Sequence, residues 1–294
     1  MESILSSPYW PFVVLTLGIV AVVVMISKWR MHPFIALILS AIFVGLISNE
    51  IPGDQHHVVK AVELPMLEFG TVAGKIAWVI ALAAIIGTAM MQSGAAQKIV
   101  NWLINTLGEN RASIALLISG FILSIPVFFD TVFFLLIPLA IALALKTGKN
   151  YVLYVLAIGG GAAITHSLVP PTPGPLIMAE TLNIDLGVTI LAGLGSGILP
   201  AAAVLVASKK LNTRFEIPVR VSFEDTTTDQ QQPSLIASVM PVLAPIVLIS
   251  LASITQVVAG STPSWMAFWG NKNIAMAVGT ALALFLWLKQ KNLQ

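Results

Sequence analysis

The chain has 294 residues, of which 57% are hydrophobic and only 10% are charged. Soluble domains carry about a quarter charged residues, so this composition excludes a soluble globular protein and indicates a polytopic membrane protein. The net charge of +2 comes without a dense basic stretch, which gives no reason to expect nucleic acid as a partner, and the absence of cysteine excludes disulfides and thiolate chemistry.

Nine apolar segments follow one another along the chain. Each is predicted to be a helix, because strands with unpaired edges do not cross a bilayer. The first is predicted to be a span, since it lacks the basic n-region and the cleavage site of a signal peptide. The segments are about 9–27, 33–48, 76–92, 112–125, 131–145, 151–165, 186–207, 234–258 and 273–288.

Basic residues predict the orientation of these spans. Lys28 and Arg30 follow the first span, whereas residues 1–8 contain no Lys or Arg, so the N-terminus is predicted to lie outside. Residues 49–59 and 259–271, also predicted outside, contain no Lys or Arg either. Residues 95–107 are amphipathic and are predicted to lie along the cytoplasmic interface.

The segment 112–145 contains the first interruption of helical sequence. Its two arms have about 14–15 residues, or ~21–22 Å at 1.5 Å per residue, which is shorter than the ~30 Å hydrocarbon core. Pro126 lacks an amide hydrogen and is expected to end the first arm at Ile125. A re-entrant hairpin entering from the cytoplasm is therefore predicted, with two tilted spans joined by an external turn as the alternative.

The segment 151–184 contains the second interruption, at Ala163–Pro175. Pro170, Pro171 and Pro173 stop a helix there, and Gly174-Pro175 is predicted to open a new half-helix. Gly159, Gly160 and Gly161 allow another backbone to approach closely. The alternative is an ordinary helix followed by a proline-rich external loop.

Broken helices near the membrane midplane mark the binding sites of secondary transporters. The half-helices are expected to begin near Thr131 and Leu176 and to direct free amides at an anion. Because 112–145 and 151–208 contain no Lys or Arg, amides and hydroxyls are the predicted ligands of carboxylate and hydroxyl groups. The predicted hydroxyl ligands are Ser124, Thr131, Thr165, Ser167 and Thr172.

Asp130 and His166 are the only ionisable side chains in the two interruptions. Intramembrane ionisable groups are candidates for proton relays. Asp130 is therefore predicted to carry a coupled proton, and His166 to act as a substrate ligand or a second proton site. The alternatives are a helix-capping role for Asp130 and a hydrogen bond from His166 to a carbonyl.

These two stretches resemble the gluconate permease family (GntP-type gluconate:proton symporters). The resemblance is carried by S-I-P-V-F-F-D-T-V-F-F-L-L-I-P-L at 124–139 and by T-H-S-L-V-P-P-T-P-G-P at 165–175. It implies an inner-membrane secondary transporter that imports gluconate or a related small sugar acid with protons. It also implies a dimeric, ion-transporter-type fold of inverted repeats, each with a re-entrant hairpin and a broken helix.

The resemblance also implies which positions form the site. Residues matching the hairpin tip are Pro126, Phe128, Phe129 and Asp130. Residues matching the broken helix are His166, Pro170, Pro171, Pro173, Gly174 and Pro175. Relatives often have histidine where this chain has Thr172, and some have Glu at the position of Asp130. The substrate therefore stays open among gluconate, other aldonates, and small hydroxylated or amino acids such as D-serine.

The domain organisation predicted on this basis has three parts. Residues 1–208 are the N-terminal transmembrane repeat, and 209–233 are a polar cytoplasmic connector. Residues 234–294 start a second repeat and supply only two spans. The second repeat is therefore expected to be incomplete, as in a C-terminally truncated form or a fragment.

Other functional classes are less well supported by the sequence. It contains no G-x-S-x-G or H-E-x-x-H pattern, so an enzyme is not expected, and Gly193 and Gly197 are interpreted as helix-packing positions. No cofactor or metal is predicted; the coupling ion is expected to be the proton, with sodium as the alternative. A channel or a non-transporting membrane subunit remains the alternative function, because broken helices also build selectivity filters.

Overall fold

The computed structural model describes residues 7–48, 56–215, 217 and 232–292. Within these ranges every regular element is helical, and no strand is present. Seven of the helical stretches described are long and apolar enough to cross a membrane. The prediction of an all-α polytopic membrane protein is therefore confirmed.

The helices are numbered here in chain order. The first part of the chain contains α1 (Trp10–Ser27), α2 (Pro33–Ile47), α3 (His57–Gln92) and α4 (Ala95–Leu107). The middle part contains α5 (Ala112–Leu123), α6 (Phe129–Thr147), α7 (Tyr151–Leu168), α8 (Pro173–Thr181), α9 (Leu186–Ser196) and α10 (Ile198–Arg214). The last part contains α11 (Leu235–Ala259), α12 (Ser264–Trp269) and α13 (Lys272–Lys291).

The chain divides into two compact units, and the first is Met1–Lys75. In this unit α1 and α2 pack side by side, and the buried Ser40 Oγ donates a hydrogen bond to the Gly18 carbonyl at 2.9 Å. The Trp10 Nε1–H donates to the Ile47 carbonyl at 3.1 Å. Small and polar residues in contact are the usual means of association between membrane helices, because lipid tails are as apolar as Leu.

The second unit is Ile76–Gln294, and its most extensive helix contact is between α5 and α7. A Cβ placed on Gly161 would lie 2.2 Å from the Leu117 carbonyl oxygen, and one on Gly120 would lie 2.6 Å from the Ile158 carbonyl oxygen. Only glycine permits backbones to approach so closely. The prediction that Gly159–Gly161 allow such an approach is confirmed at Gly161.

Gly193 and Gly197 pack against neighbouring helices, as the sequence predicts. A Cβ on Gly193 would lie 2.3 Å from the Leu168 carbonyl oxygen, and one on Gly197 would lie 3.0 Å from the Phe121 ring. These contacts join the α9–α10 region to the ends of α7 and α5. The predicted single helix over 186–207 is in fact two helices that meet at Gly197.

Helix α3 is longer than the sequence predicts, whereas α4 has the predicted bounds. The helix predicted at 76–92 begins at His57, because Lys60 and Glu63 interrupt the apolar run without interrupting the helix. Helix α4 lies at the predicted 95–107, but its apolar face packs on α5 and α11, so protein covers that face.

The predicted connector at 209–233 lies largely outside the described residues. Its first six residues, 209–214, continue helix α10, and Leu235 begins α11 directly after the N-cap Ser234. The Ser234 Oγ accepts a hydrogen bond from the Ala237 amide, which is a normal start for a helix.

Candidate functional site

The two arms of the predicted hairpin differ in length. Helix α5 has 12 residues, or ~18 Å, and is too short for the ~30 Å hydrocarbon core. Helix α6 has 19 residues and is long enough to cross. Lys146, near the end of α6, donates to the Glu109 carboxylate just before α5, so the open ends of the two arms lie together.

The hairpin tip joins the arms through a short turn. Helix α5 ends at Leu123, and Phe128 is the extended N-cap of α6, with φ −62° and ψ 146°. Ser124 is fully buried, and its Oγ donates to the Val127 carbonyl at 3.4 Å. Val127 in turn packs against α3, 3.0 Å from the position of a Cβ on Gly87.

The second interruption is shorter than the sequence predicts. Helix α7 continues to Leu168, because the Val169 amide still donates to the Thr165 carbonyl at 2.9 Å. The break then spans only Val169–Thr172, where the buried Thr172 Oγ1 donates to the Val169 carbonyl at 2.7 Å.

The half-helices begin earlier than expected. Helix α6 begins at Phe129 instead of near Thr131, because a carboxylate is favoured in a first helical turn and Asp130 joins that turn. Helix α8 begins at Pro173 instead of near Leu176, since proline suits the first helical position.

The positions at which α6 and α8 begin determine how many backbone amides are free at each helix N-terminus. At α8, Pro173 and Pro175 have no N–H, so Gly174 alone offers an amide among the first three residues. At α6, Phe129, Asp130 and Thr131 all have an N–H without an intrahelical partner. The start of α6 therefore offers more free amides than the start of α8 does.

The structure brings the hairpin tip and the broken helix together. The rings of Phe128 and His166 meet edge-to-face, with centroids 6.1 Å apart. The Phe129 ring stacks on Phe133 at 5.7 Å, and the Phe133 ring lies against Gly159 of α7. Phe128 of the hairpin tip thus contacts the last turn of α7, just before the break at Val169–Thr172.

His166 Nδ1 and the Oγ1 of its sequence neighbour Thr165 are buried polar atoms without a hydrogen-bond partner among the described residues. Thr165 is fully buried. Buried polar groups in folded proteins nearly always have a hydrogen-bond partner. The hydroxyls of Ser124 and Thr172 donate hydrogen bonds within their own breaks. Of the three buried hydroxyls that the sequence predicts as ligands, only that of Thr165 has no partner among the described residues.

The remaining predicted site residues differ in exposure. Pro126 is buried, and Phe128, Phe129, Thr131 and His166 are half-buried. Asp130, Ser167 and Gly174 are exposed. Asp130 is in the first turn of α6, where the helix dipole favours a carboxylate by ~0.3–1 kcal/mol. Neither of the two ion pairs among the described residues includes Asp130.

The second unit, Ile76–Gln294, also contains an ion pair that the sequence did not predict. Lys272, the first residue of α13, donates to the Glu180 carboxylate near the end of α8. Glu180 was visible as an isolated acidic residue in the second half of the broken helix. Its partner lies 92 positions further along the chain, and no local pattern links them.

The described residues contain no group of three His, Asp or Glu side chains that could hold a metal ion. The donor set at the two interruptions consists of amides, hydroxyls, one imidazole and one carboxylate. Such a set suits an organic anion with hydroxyl groups.

Comparison with known proteins gives a family match over most of the chain. The family described as GntP family permease matches residues 10–294. An uncharacterized permease of Haemophilus influenzae is 30% identical, over 96% of this chain and 61% of the relative. A gluconate permease of Pseudomonas aeruginosa is 31% identical, over 91% of this chain and 60% of the relative.

A Gnt-II system L-idonate transporter of Escherichia coli is 27% identical, over 94% of this chain and 62% of the relative. The chain thus spans about three fifths of the length of these relatives. No solved structure matches it.

Proposed function

The chain belongs to the GntP permease family, and from that premise we propose that it carries gluconate or a related small sugar acid across the inner membrane together with protons. Its relatives include proteins named as gluconate permeases and as an L-idonate transporter, both of which concern six-carbon sugar acids. These substrates carry one carboxylate and several hydroxyls, which matches the donor set at the two interruptions.

The contact between Phe128 and His166 is the observation that carries this proposal. It joins the hairpin tip to the broken helix at 6.1 Å between ring centroids. His166 Nδ1 and the Oγ1 of its neighbour Thr165 have no hydrogen-bond partner among the described residues. A hydroxylated ligand that reaches these atoms forms hydrogen bonds with them without breaking an existing one.

The position of Asp130 supports proton coupling. Its carboxylate lies in the first turn of α6, at the hairpin tip that contacts the broken helix. An ionised Asp130 repels an anion that approaches this contact, whereas a protonated Asp130 does not. Proton and anion therefore bind together, which is the requirement for symport.

The protein is proposed to cross the inner membrane several times, with its N-terminus outside, and to form a homodimer. The distribution of Lys and Arg supports the orientation, since Lys28 and Arg30 follow α1 and the loop after α11 has none before Lys272. The family resemblance supports the dimer.

Uptake of labelled gluconate tests the proposal. The full chain is reconstituted into vesicles with an imposed pH gradient, and uptake is measured with and without a protonophore. We expect uptake that saturates, that the protonophore abolishes, and that unlabelled L-idonate inhibits more strongly than D-serine does.

Two controls separate the alternatives. Replacement of sodium by choline should leave uptake unchanged if protons are the coupling ion. Transport that does not saturate and does not respond to the protonophore would favour a channel and would contradict the proposal.

A further inference from the structure

The ion pair between Lys272 and Glu180 joins two elements that line the interruption of the broken helix. Glu180 is near the end of α8, the second half of that helix, and Lys272 is the first residue of α13. The side chains are 21% and 31% exposed, whereas those of the Lys146–Glu109 pair are 64% and 52% exposed. The Lys272–Glu180 pair is thus the less hydrated of the two.

Lys272 also lines a cavity beside the proline break. The cavity has a volume of about 10 Å³, roughly that of one water molecule. Pro170 and Pro171 form one wall, and among the lining residues Lys272 alone carries a charge. The other lining residues are apolar.

An anionic substrate needs positive charge, and the elements around the site supply very little of it. Residues 112–145 and 151–208 contain no Lys or Arg. The structure brings a lysine to the broken helix from outside these segments. We infer that Lys272 is the cation that binds the carboxylate of the transported anion, and that Glu180 holds Lys272 while the site is empty. This inference rests on the proposed function.

The exchange of partners is electrostatically reasonable. Removing one member of a poorly hydrated ion pair is costly, because the other charge is left without compensation. A substrate carboxylate that replaces Glu180 keeps Lys272 paired, and the released Glu180 carboxylate, whose side chain is 31% exposed, is then hydrated by solvent. Lys272 pairs with Glu180 in this structure, and the adjoining cavity of about 10 Å³ is far smaller than a ligand pocket of ~300 Å³ or more.

Binding measurements on the full chain in lipid nanodiscs test this inference, with gluconate and its neutral amide, gluconamide, as probes. Lys272→Gln should weaken gluconate binding by about tenfold or more and leave gluconamide binding nearly unchanged. Glu180→Gln should strengthen gluconate binding severalfold, because it removes the competing carboxylate. Lys289→Gln, at an exposed lysine of the same helix, should change neither ligand.

The two Gln variants are expected to change gluconate binding in opposite directions, and this distinguishes a binding role of the pair from a structural one. If the pair only stabilises the fold, both Gln variants will lower the thermal stability and weaken both ligands equally, which overturns the inference. Lys272→Arg keeps the charge and should keep the preference for gluconate even if Lys272→Gln folds poorly; loss of the preference in a folded Lys272→Arg protein also counts against it.

The failure of the proposed function would look different. A folded wild-type chain that binds neither ligand contradicts the proposed substrate class, and the inference falls with it. Wild-type binding of gluconate together with an unchanged preference in Lys272→Gln overturns the role of Lys272 alone.

Discussion

Thr165 and His166 are consecutive residues of α7, and each has a buried polar atom without a partner among the described residues. An unsatisfied buried polar group costs ~1–3 kcal/mol of stability. A ligand that supplies the missing hydrogen bonds recovers that cost, so these two side chains are expected to bind substrate more than they stabilise the empty protein.

Thr165→Val removes the hydroxyl and keeps the shape of the side chain. Because no hydrogen bond is lost in the empty protein, thermal stability should be unchanged or slightly higher. The half-saturation constant for gluconate should rise by about fivefold to tenfold, as expected for a lost hydrogen bond of ~1 kcal/mol or slightly more. Transport assays and thermal unfolding in detergent measure the two effects.

Thr189→Val is the matched control for this change. The Thr189 Oγ1 donates to the Asp185 carbonyl at 2.9 Å, so its loss should lower stability by about 1 kcal/mol without changing the half-saturation constant. If Thr165→Val instead destabilises the protein as Thr189→Val does, with an unchanged constant, the hydroxyl of Thr165 has only a structural role.

His166→Ala should raise the half-saturation constant for gluconate by about tenfold, because it removes both the unpartnered Nδ1 and the ring that contacts Phe128. His56→Ala, at an exposed histidine, should have no effect. An unchanged constant in an inserted His166→Ala protein would indicate that the imidazole does not bind substrate.

At the scale of the helices, the fold around the site depends on the contact between α5 and α7. Two glycines, Gly120 and Gly161, place the backbones so close that a single Cβ would clash with a carbonyl oxygen. Extra atoms in such a contact lower the free energy of unfolding by about 1–3 kcal/mol, as in overpacked protein cores, and displace the helices.

Gly161→Val is therefore expected to lower the melting temperature in detergent by about 5 °C or more and to abolish transport. Gly195→Val is a suitable control, because no atom lies within 4 Å of a Cβ at Gly195. Equal stability of the two variants would show that the α5–α7 contact can relax and that this packing argument is wrong.

The sequence predicted the existence of the two helix interruptions better than the exact ends of the helices beside them. Prolines mark both interruptions, because a residue without an amide hydrogen disrupts a helix in any context. The helix starts at Phe129 and Pro173 were missed by two to three residues, since they depend on capping and on the local hydrogen bonds of each break.

Contacts between segments that are distant in the chain could not be predicted from the sequence. The edge-to-face contact of Phe128 with His166 and the pairing of Lys272 with Glu180 depend on how whole helices pack. Glycine spacing indicated that α7 would be approached closely, but not which helix would approach it.

At the scale of the whole molecule, the central question is the side of the membrane on which each loop lies. The chain contains no cysteine, so a single introduced cysteine reports on its own position. Lys149, between α6 and α7, and Ser261, after α11, are both exposed. The proposed orientation puts the first inside and the second outside.

A membrane-impermeant maleimide should label Ser261→Cys in intact cells and label Lys149→Cys only after the membrane is permeabilised. The physical reason is that Lys and Arg are retained on the cytoplasmic side during insertion. The reverse labelling pattern would invert the orientation, and equal labelling of both positions would contradict a single orientation.

The central claim is that Asp130 couples proton transport to sugar-acid transport. The most direct test compares gluconate accumulation with gluconate exchange in the Asp130→Asn variant. Asparagine imitates protonated aspartate but cannot release a proton. In vesicles, the variant should lose accumulation of labelled gluconate driven by a pH gradient and should still exchange internal for external gluconate. Accumulation that persists in Asp130→Asn and is still abolished by a protonophore would contradict this account.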